Sequence, residues 1–168
     1  YGGGSSEESV LTAARLGMPI LLPGIFLPPE KFVPMAALYR KKFVEYGHDP
    51  GNMRVGTVTH AHIRDDGQDV ATFWAPYFTV YSQWVCDLVG RPPPPGGFKV
   101  HPRGPLIYGT PDQAAARICQ YDELLGLDFL VCAFDSAGLP PADVVRSATL
   151  FGEAVIPSVR ASQKRRIK

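Results

Sequence analysis

Three stretches of the chain have the residue pattern of buried β-strands. Met18–Leu22 and Asp128–Phe134 are short runs that are apolar at nearly every position, and Met53–Ile63 is rich in β-branched residues. Pro23 and Gly24 end the first run, and Asp65-Asp66-Gly67 ends the one that follows. Runs of this kind are typical of strands in a parallel sheet that is covered by helices on both faces.

Apolar residues spaced three and four apart predict helices between these runs. The predicted helices begin near positions 5, 30, 68, 110 and 141, and the last is expected to end near Pro157. Thr110 and Gln113 have the spacing of a capping box at the fourth helix. The third helix has a largely aromatic face, which we expect to lie in the core: Val70, Phe73, Trp74, Tyr77, Tyr81, Trp84 and Leu88.

Strands and helices therefore alternate along the chain. This alternation indicates an α/β fold whose parallel strands are joined by right-handed crossovers. If a strand precedes Gly2, the chain contains four βα units. A doubly wound sheet can hold four strands, and four units are also half of a (βα)8 barrel. The pattern by itself leaves both architectures open.

The chain begins with a glycine run that breaks directly into a helix. Residues 1–9 read Tyr-Gly-Gly-Gly-Ser-Ser-Glu-Glu-Ser, without an initiator methionine. Ser5 and Glu8 have the spacing of a capping box. Free backbone N–H groups and the positive end of the helix dipole make such a start an anion pocket. Because a buried strand normally precedes a pocket of this kind, we expect both a phosphate site and a truncated fold.

The composition is that of an ordinary soluble globular domain. The chain has 168 residues, of which 45% are hydrophobic and 20% charged, and its net charge is +1. We therefore expect neither nucleic acid nor a membrane as a partner, and no stretch approaches the roughly 20 apolar residues of a spanning helix. Cys86, Cys119 and Cys132 lack metal-ligand spacing, which predicts buried free thiols, a reducing compartment and a cytoplasmic location. Residues 161–168 are predicted to form a solvated basic tail.

Three stretches in this order resemble the C-terminal half of the luciferase-like flavin-dependent monooxygenases. The first is Gly2–Leu22, which contains the glycine run and a Leu-Gly-Met-Pro step into a strand. The second is Gly104–Gln113, which ends in Gly-Thr-Pro-Asp-Gln, and the third is Leu127–Pro157. The resemblance spans roughly residues 2–160, and we take residues 1–160 as one half-barrel domain.

The resemblance implies an eight-stranded barrel that binds FMN at the carboxyl ends of its strands, or a deazaflavin coenzyme in some relatives. By position, Ser5, Ser6 and Ser9 match family residues around the flavin phosphate. Gly4 would let the backbone approach that phosphate closely. NAD(P)H is a candidate reductant, and the implied partners are a small organic substrate and O2.

Two further places are candidates for pocket lining. His60 and His62 lie two residues apart on one face of a predicted strand, near the end where barrel active sites lie. A metal would need a third ligand, which the sequence does not supply, so we predict no metal site. Gly24 follows the strand before, within an apolar stretch suited to shielding a flavin. No residue is predicted to be catalytic.

Three kinds of function follow from this interpretation. The chain is predicted to be part of a flavin-dependent oxidoreductase that is inactive without the other half of the barrel. Alternatively, it is a half-barrel whose copies pair to close the sheet, since exposed sheet edges favour pairing. The third alternative is a catalytically silent protein that binds the flavin without turning it over.

Overall fold

The structure is a computed structural model that describes residues 2–3, 6–25, 27–94, 100–136 and 138–166. Its strands are β1 (Ile20–Leu22), β2 (Val55–Ile63), β3 (Ile107–Gly109) and β4 (Phe129–Ala133). Its α-helices are α1 (Glu7–Arg15), α2 (Val33–Glu45), α3 (Val70–Leu88), α4 (Pro111–Leu125), α5 (Pro141–Leu150) and α6 (Ile156–Arg166). Short 3-10 turns lie at Pro29–Phe32 and Pro50–Asn52, and a π-helical turn at Phe151–Val155 joins α5 to α6.

Strand β2 is the longest strand and pairs with the three others. Its first residues run parallel to β1, with Val55 opposite Ile20. Its last residues run parallel to β3, with Ala61 opposite Ile107. The predicted parallel sheet of an α/β fold is therefore confirmed, although β3 was not expected from the sequence. A three-residue strand is too short to produce an alternation that can be recognised.

The segment before α1 is paired with β1. Gly2 forms a parallel bridge with Leu21, and the amide of Gly3 donates to the carbonyl oxygen of Leu21 at 3.1 Å. A strand-like pairing therefore lies directly before the helix, on the glycine run itself rather than before Gly2, where the sequence analysis places a strand.

The chain divides into two compact units, of which the first comprises Tyr1–Thr59 and Cys119–Cys132. The core of this unit joins β1 and the start of β2 to helices α1, α2 and α4. Its buried residues are Val10, Ala13, Ala14, Ile20, Leu22, Phe32, Ala36, Tyr39, Phe43, Val55, Tyr121 and Leu125. Two hydrogen bonds between Val55 and Asp128 hold the start of β4 in place. The Val55 amide donates to the Asp128 carboxylate, and the Asp128 amide donates to the Val55 carbonyl oxygen, both at 2.8 Å.

The second unit comprises His60–Ile118 and Ala133–Lys168. Its core cluster consists of Trp74, Phe78, Leu106 and Leu139. Two buried serine hydroxyls accept hydrogen bonds across this unit. Ser136 Oγ accepts from the indole of Trp74 at 3.2 Å, and Ser147 Oγ accepts from the amide of Ile63 at 2.8 Å.

The aromatic face of α3 is only partly buried. Val70 and Trp74 lie in the core as predicted, but Trp84 is 57% exposed and Leu88 is 69% exposed. The buried row is Val70, Trp74, Phe78 and Ser82, which recurs strictly every four residues. The prediction that Trp84 and Leu88 are core residues is wrong. The predicted apolar face covered more of the helix circumference than the single row that packs against the core.

The last helix extends past the predicted end. Helix α6 continues to Arg166, with Pro157 as its second residue. Proline is tolerated in a first helical turn, and the π-helical turn before α6 interrupts the regular hydrogen-bond ladder at this place. Pro157 is therefore compatible with the helix that it was expected to end.

The three cysteines are free, as predicted, but each is partly exposed rather than buried. None of the helices among the described residues combines the length and apolarity needed to cross a bilayer.

Candidate active site

The start of α1 carries two of the serines that the sequence places at a phosphate. Ser6 is the N-cap residue, and its hydroxyl oxygen accepts from the amide of Ser9 at 3.3 Å. The hydroxyl of Ser9 donates back to the carbonyl oxygen of Ser6 at 2.8 Å. The cap is thus formed by Ser6 and Ser9, one position later than the predicted pair of Ser5 and Glu8. Consecutive serines offer alternative caps, which explains the displacement.

Ser6, Glu7 and Glu8 are exposed at the amino end of α1. The first amides of any helix have no carbonyl partner within the helix. Here the cap satisfies the amide of Ser9, while the amide of Val10 donates to the Ser6 carbonyl at 3.3 Å. The Ser6 hydroxyl also retains a proton that it can donate, so this helix start has the donors that an anion requires.

Gly4 and Ser5, the other two residues of the predicted phosphate loop, lie outside the described residues.

Gly24 follows β1 and lies against β2. A Cβ at this position would be 2.6 Å from Thr57 Oγ1 and 3.0 Å from the carbonyl oxygen of Val58. The hydroxyl of Thr57 donates to the Leu22 carbonyl oxygen at 3.1 Å, so it is held in place. Close approach of two backbones therefore explains glycine at position 24.

His60 and His62 are buried under the aromatic residues of α3. His60 is 3% exposed, and its ring centroid lies 4.5 Å from that of Tyr81 and 5.7 Å from that of Phe78. His62 is fully buried, and its ring stacks on Phe73 and Trp74 at 5.5 and 5.6 Å. The structure therefore places both histidines together near the carboxyl end of β2.

Burial changes the protonation of both histidines. It lowers the pKa of His60 below its ordinary value, and a hydrogen bond involving the backbone of Asp135 opposes this change. It lowers the pKa of His62 to about 4, with the positive charge of Arg64 acting in the same direction. Neither ring nitrogen of His62 has a hydrogen-bond partner among the described residues. His62 is therefore a neutral imidazole in an aromatic environment at neutral pH.

Arg64 is a charged residue of this region that the sequence analysis missed. Its side chain is 11% exposed, and its guanidinium donates to both Asp66 and Asp143, with the Asp143 contact at 2.9 Å. The same group lies over the ring of Phe73, 4.1 Å from Cζ to the centroid. Hydrogen bonding from Arg64 lowers the pKa of Asp66 to about 2. An arginine directly after a predicted strand was the available signal.

Among the described residues, no group of three His, Cys, Asp or Glu side chains is arranged to hold a metal ion. The histidine pair therefore has no third ligand within that part of the chain.

Comparison with known protein families gives a match over residues 1–85 to the luciferase-like monooxygenases. The chain belongs to the luciferase-like monooxygenase family. The matched region includes the capped start of α1, strands β1 and β2 and most of α3. A comparison with curated protein sequences finds no match.

Solved structures with the same fold include several oxidoreductases. The monooxygenase RslO1 from Streptomyces bottropensis superposes with a TM-score of 0.68 at 21% identity, over 93% of this chain and 46% of that protein. The coenzyme F420-dependent tetrahydromethanopterin reductase from Methanopyrus kandleri gives 0.57 at 16% identity, over 93% and 49%. The FMN-bound oxygenating constituent of 3,6-diketocamphane monooxygenase from Pseudomonas putida gives 0.55 at 14% identity, over 94% and 47%.

The luciferase-like chain thus spans about half the length of these three proteins. Its α/β fold with a parallel sheet corresponds to half of their barrel, as the sequence resemblance implied, whereas the alternation of elements had left a doubly wound sheet open as well. One of these three proteins is an FMN complex and another depends on coenzyme F420, and these are the two cofactor classes that the sequence resemblance implied.

Proposed function

We propose that the chain supplies the phosphate-binding side of a flavin site in a monooxygenase that acts on a small organic substrate with O2. The observation that carries this proposal is the start of α1, where a Ser6–Ser9 cap leaves hydroxyl and amide donors at a helix amino end. This helix start lies inside the region that matches the luciferase-like family.

The residues at this start fit a phosphate group. The Ser6 hydroxyl and the first amides of α1 would donate to its oxygens, and the helix dipole would favour its charge. Gly4 and Ser5 are proposed as further contacts, and Ser9 would join them once its hydroxyl turns from the Ser6 carbonyl oxygen to the phosphate. Glu7 and Glu8 are exposed, so their carboxylates can point into solvent. FMN is the proposed cofactor, with a deazaflavin coenzyme as the alternative and NAD(P)H as a candidate reductant.

Bound reduced flavin would supply the electrons for the reaction with oxygen. The chain's own residues would orient the cofactor and exclude water from it. The phosphate contacts at α1 would hold one end of the cofactor. Gly24, with the apolar residues after β1, is proposed to line the pocket.

The phosphate contact can be tested by titrating the 168-residue chain with FMN and following flavin fluorescence. Asparagine and aspartate both cap helices well, so Ser6→Asn and Ser6→Asp keep the cap, but only Ser6→Asp adds a negative charge. We expect Ser6→Asp to weaken FMN binding about 10-fold or more, the equivalent of roughly 1.4 kcal/mol, and Ser6→Asn to have a much smaller effect.

Riboflavin, which lacks the phosphate, is the matched ligand control. Its binding should be weaker than that of FMN and insensitive to Ser6→Asp. Equal losses of FMN binding in the two variants, or equal binding of riboflavin and FMN, would contradict a phosphate contact at α1.

We further propose that this chain needs a second half-barrel to be active. Strand β4 pairs with β2, and within the described residues no other strand pairs with it. Phe129 and Val131 on β4 are 38% and 44% exposed. Apolar residues on an edge strand favour coverage by another chain, either an N-terminal half-barrel or a second copy.

The mass of the chain in solution and its turnover with reduced FMN test this requirement. A dimeric mass would favour pairing of copies, and a monomer without turnover would favour an N-terminal half-barrel as the partner. Flavin binding by a dimer without turnover would favour the catalytically silent alternative. Robust substrate oxidation by the monomer would overturn the proposal.

A further inference from the structure

A cavity of about 490 Å³ lies in the second unit, where β2 and β3 end. Its wall includes Arg64 after β2, Asp69 and Val70 at the start of α3, and Tyr108 and Gln113 around the start of α4. The volume is in the range of cavities that bind small organic molecules. Ser6 and Ser9, the two described residues of the proposed flavin-phosphate site, do not line it.

The cavity wall is apolar on one part of its surface. Val70 and Val100 contribute aliphatic side chains, and the ring of Tyr108 packs near Trp74 with centroids 6.5 Å apart. Such a wall suits the hydrocarbon or aromatic portion of a ligand.

The two charged residues of the described cavity wall, Arg64 and Asp69, differ in their ion pairing. Arg64 faces two carboxylates, those of Asp66 and Asp143, so its positive charge is already matched. Asp69 lines the cavity, and its hydrogen bonds from Thr72 and two amides lower its pKa, so it is ionised. The positive charge of Arg117 acts to lower the pKa of Tyr108.

Arg64 is matched by two carboxylates, whereas Asp69 has no ion pair among the described residues, so this wall disfavours an anionic ligand and favours a cationic one.

Tyr108 offers a polar group to a ligand in this cavity. It is half-buried, and its hydroxyl forms no hydrogen bond with the described residues. Burial and the charge of Asp69 raise the pKa of Tyr108, so the hydroxyl stays protonated. Asp69 and Tyr108 line the same cavity. A hydroxyl oxygen and a carboxylate together accept hydrogen bonds from an ammonium group.

We propose that this cavity binds a small organic amine, with its ammonium group at Asp69 and Tyr108 and its apolar part against Val70 and Val100. This binding does not depend on the flavin site, and it can be measured on the chain without a cofactor.

Three probes of similar shape and different charge test the proposal by titration calorimetry at pH 7.5. Benzylamine is cationic, benzyl alcohol is neutral and benzoate is anionic. We expect benzylamine to bind about 10-fold more tightly than benzyl alcohol, and benzoate to bind most weakly. Tighter binding of benzoate, or the absence of saturable benzylamine binding at millimolar concentration, would overturn the proposal.

Two variants locate the binding. Asp69→Asn retains an N-cap for α3 because asparagine caps as well as aspartate, and it removes the charge. We expect it to abolish the preference for benzylamine over benzyl alcohol, and Tyr108→Phe to weaken benzylamine binding several-fold. Asp87→Asn removes one negative charge from the other end of α3, where Asp87 accepts from Gln83, and should change nothing. If Asp69→Asn behaves like Asp87→Asn, the amine does not bind in this cavity.

Discussion

The imidazole of His62 lies nearly parallel to the ring of Phe73, with 5.5 Å between centroids and 18° between planes. The stacking holds the imidazole in a fully buried position, where neither nitrogen has a hydrogen-bond partner among the described residues. Burial of an unsatisfied polar group costs free energy. His62 therefore contributes through packing and reduces stability through its two nitrogens.

Replacing His62 with phenylalanine should stabilise the fold. Phenylalanine preserves a flat ring beside Phe73 and Trp74 and removes both buried nitrogens. We expect the free energy of unfolding to rise by about 1 kcal/mol in urea titrations. His62→Ala, which leaves a cavity, should instead lower it by about 3 kcal/mol. A phenylalanine variant as unstable as the alanine variant would show that the nitrogens have partners.

Stability should also decrease when the pH is lowered from about 6.5 to about 4. The His62 imidazole has a pKa of about 4 in the folded chain and an ordinary value of 6.5. In this window the unfolded chain binds a proton that the folded chain does not. Lowering the pH therefore lowers the free energy of unfolding, by up to about 3 kcal/mol. Urea titrations at several pH values across this range should show that the free energy of unfolding depends less steeply on pH in His62→Phe than in the unchanged chain. His60 accounts for part of the remaining slope, because burial lowers its pKa too. Equal slopes in the two proteins would contradict the assignment to His62.

The ion pair between Arg64 and Asp143 should contribute more than an exposed pair. The Arg64 side chain is 11% exposed and that of Asp143 is 25% exposed. We expect a double-mutant cycle with Arg64→Met and Asp143→Asn to give a coupling of about 1–2 kcal/mol, between the usual values for surface and buried pairs. The exposed pair Lys41–Glu45, at 3.8 Å, is the control and should couple by less than about 0.5 kcal/mol. Equal coupling in the two cycles would refute the expectation.

Gly109 should not tolerate alanine. Its φ is +118°, and a Cβ would lie 2.3 Å from Gln113 Oε1, which caps α4. Strain and loss of the cap should together lower the free energy of unfolding by about 2 kcal/mol or more. Gly152→Ala is the matched control, because a Cβ there meets nothing within 4 Å, and it should be nearly neutral. Thermal unfolding of the two variants makes the comparison, and similar melting temperatures would contradict it.

Features that depend on neighbours in the sequence could be predicted. Thr110 and Gln113 cap α4 reciprocally as their spacing indicates, with the Thr110 amide donating to Gln113 Oε1 at 2.9 Å and the Gln113 amide to Thr110 Oγ1 at 3.4 Å. The three predicted strands are present because each pattern extends over several residues. The prediction that the third is buried is wrong, since β4 has no buried residue among Phe129–Ala133.

Features that depend on distant residues could not be predicted. Arg64 and Asp143 are separated by 79 positions, and no local pattern indicates that they pair. The histidine pair was recognised as a candidate pocket lining, but its stacking against α3 depends on how that helix packs. The same dependence explains why Trp84 is exposed although it belongs to the predicted apolar stripe.

The central position of β2 has a consequence for folding kinetics. Its contacts connect Thr57 to Leu22, 35 residues away, Val55 to Asp128, 73 residues away, and Ile63 to Ser147, 84 residues away. Each contact requires the closure of a long loop before it contributes stability, which slows folding. We therefore expect this chain to fold slowly for its length, and to expose the β-branched residues of β2 to aggregation until those loops have closed.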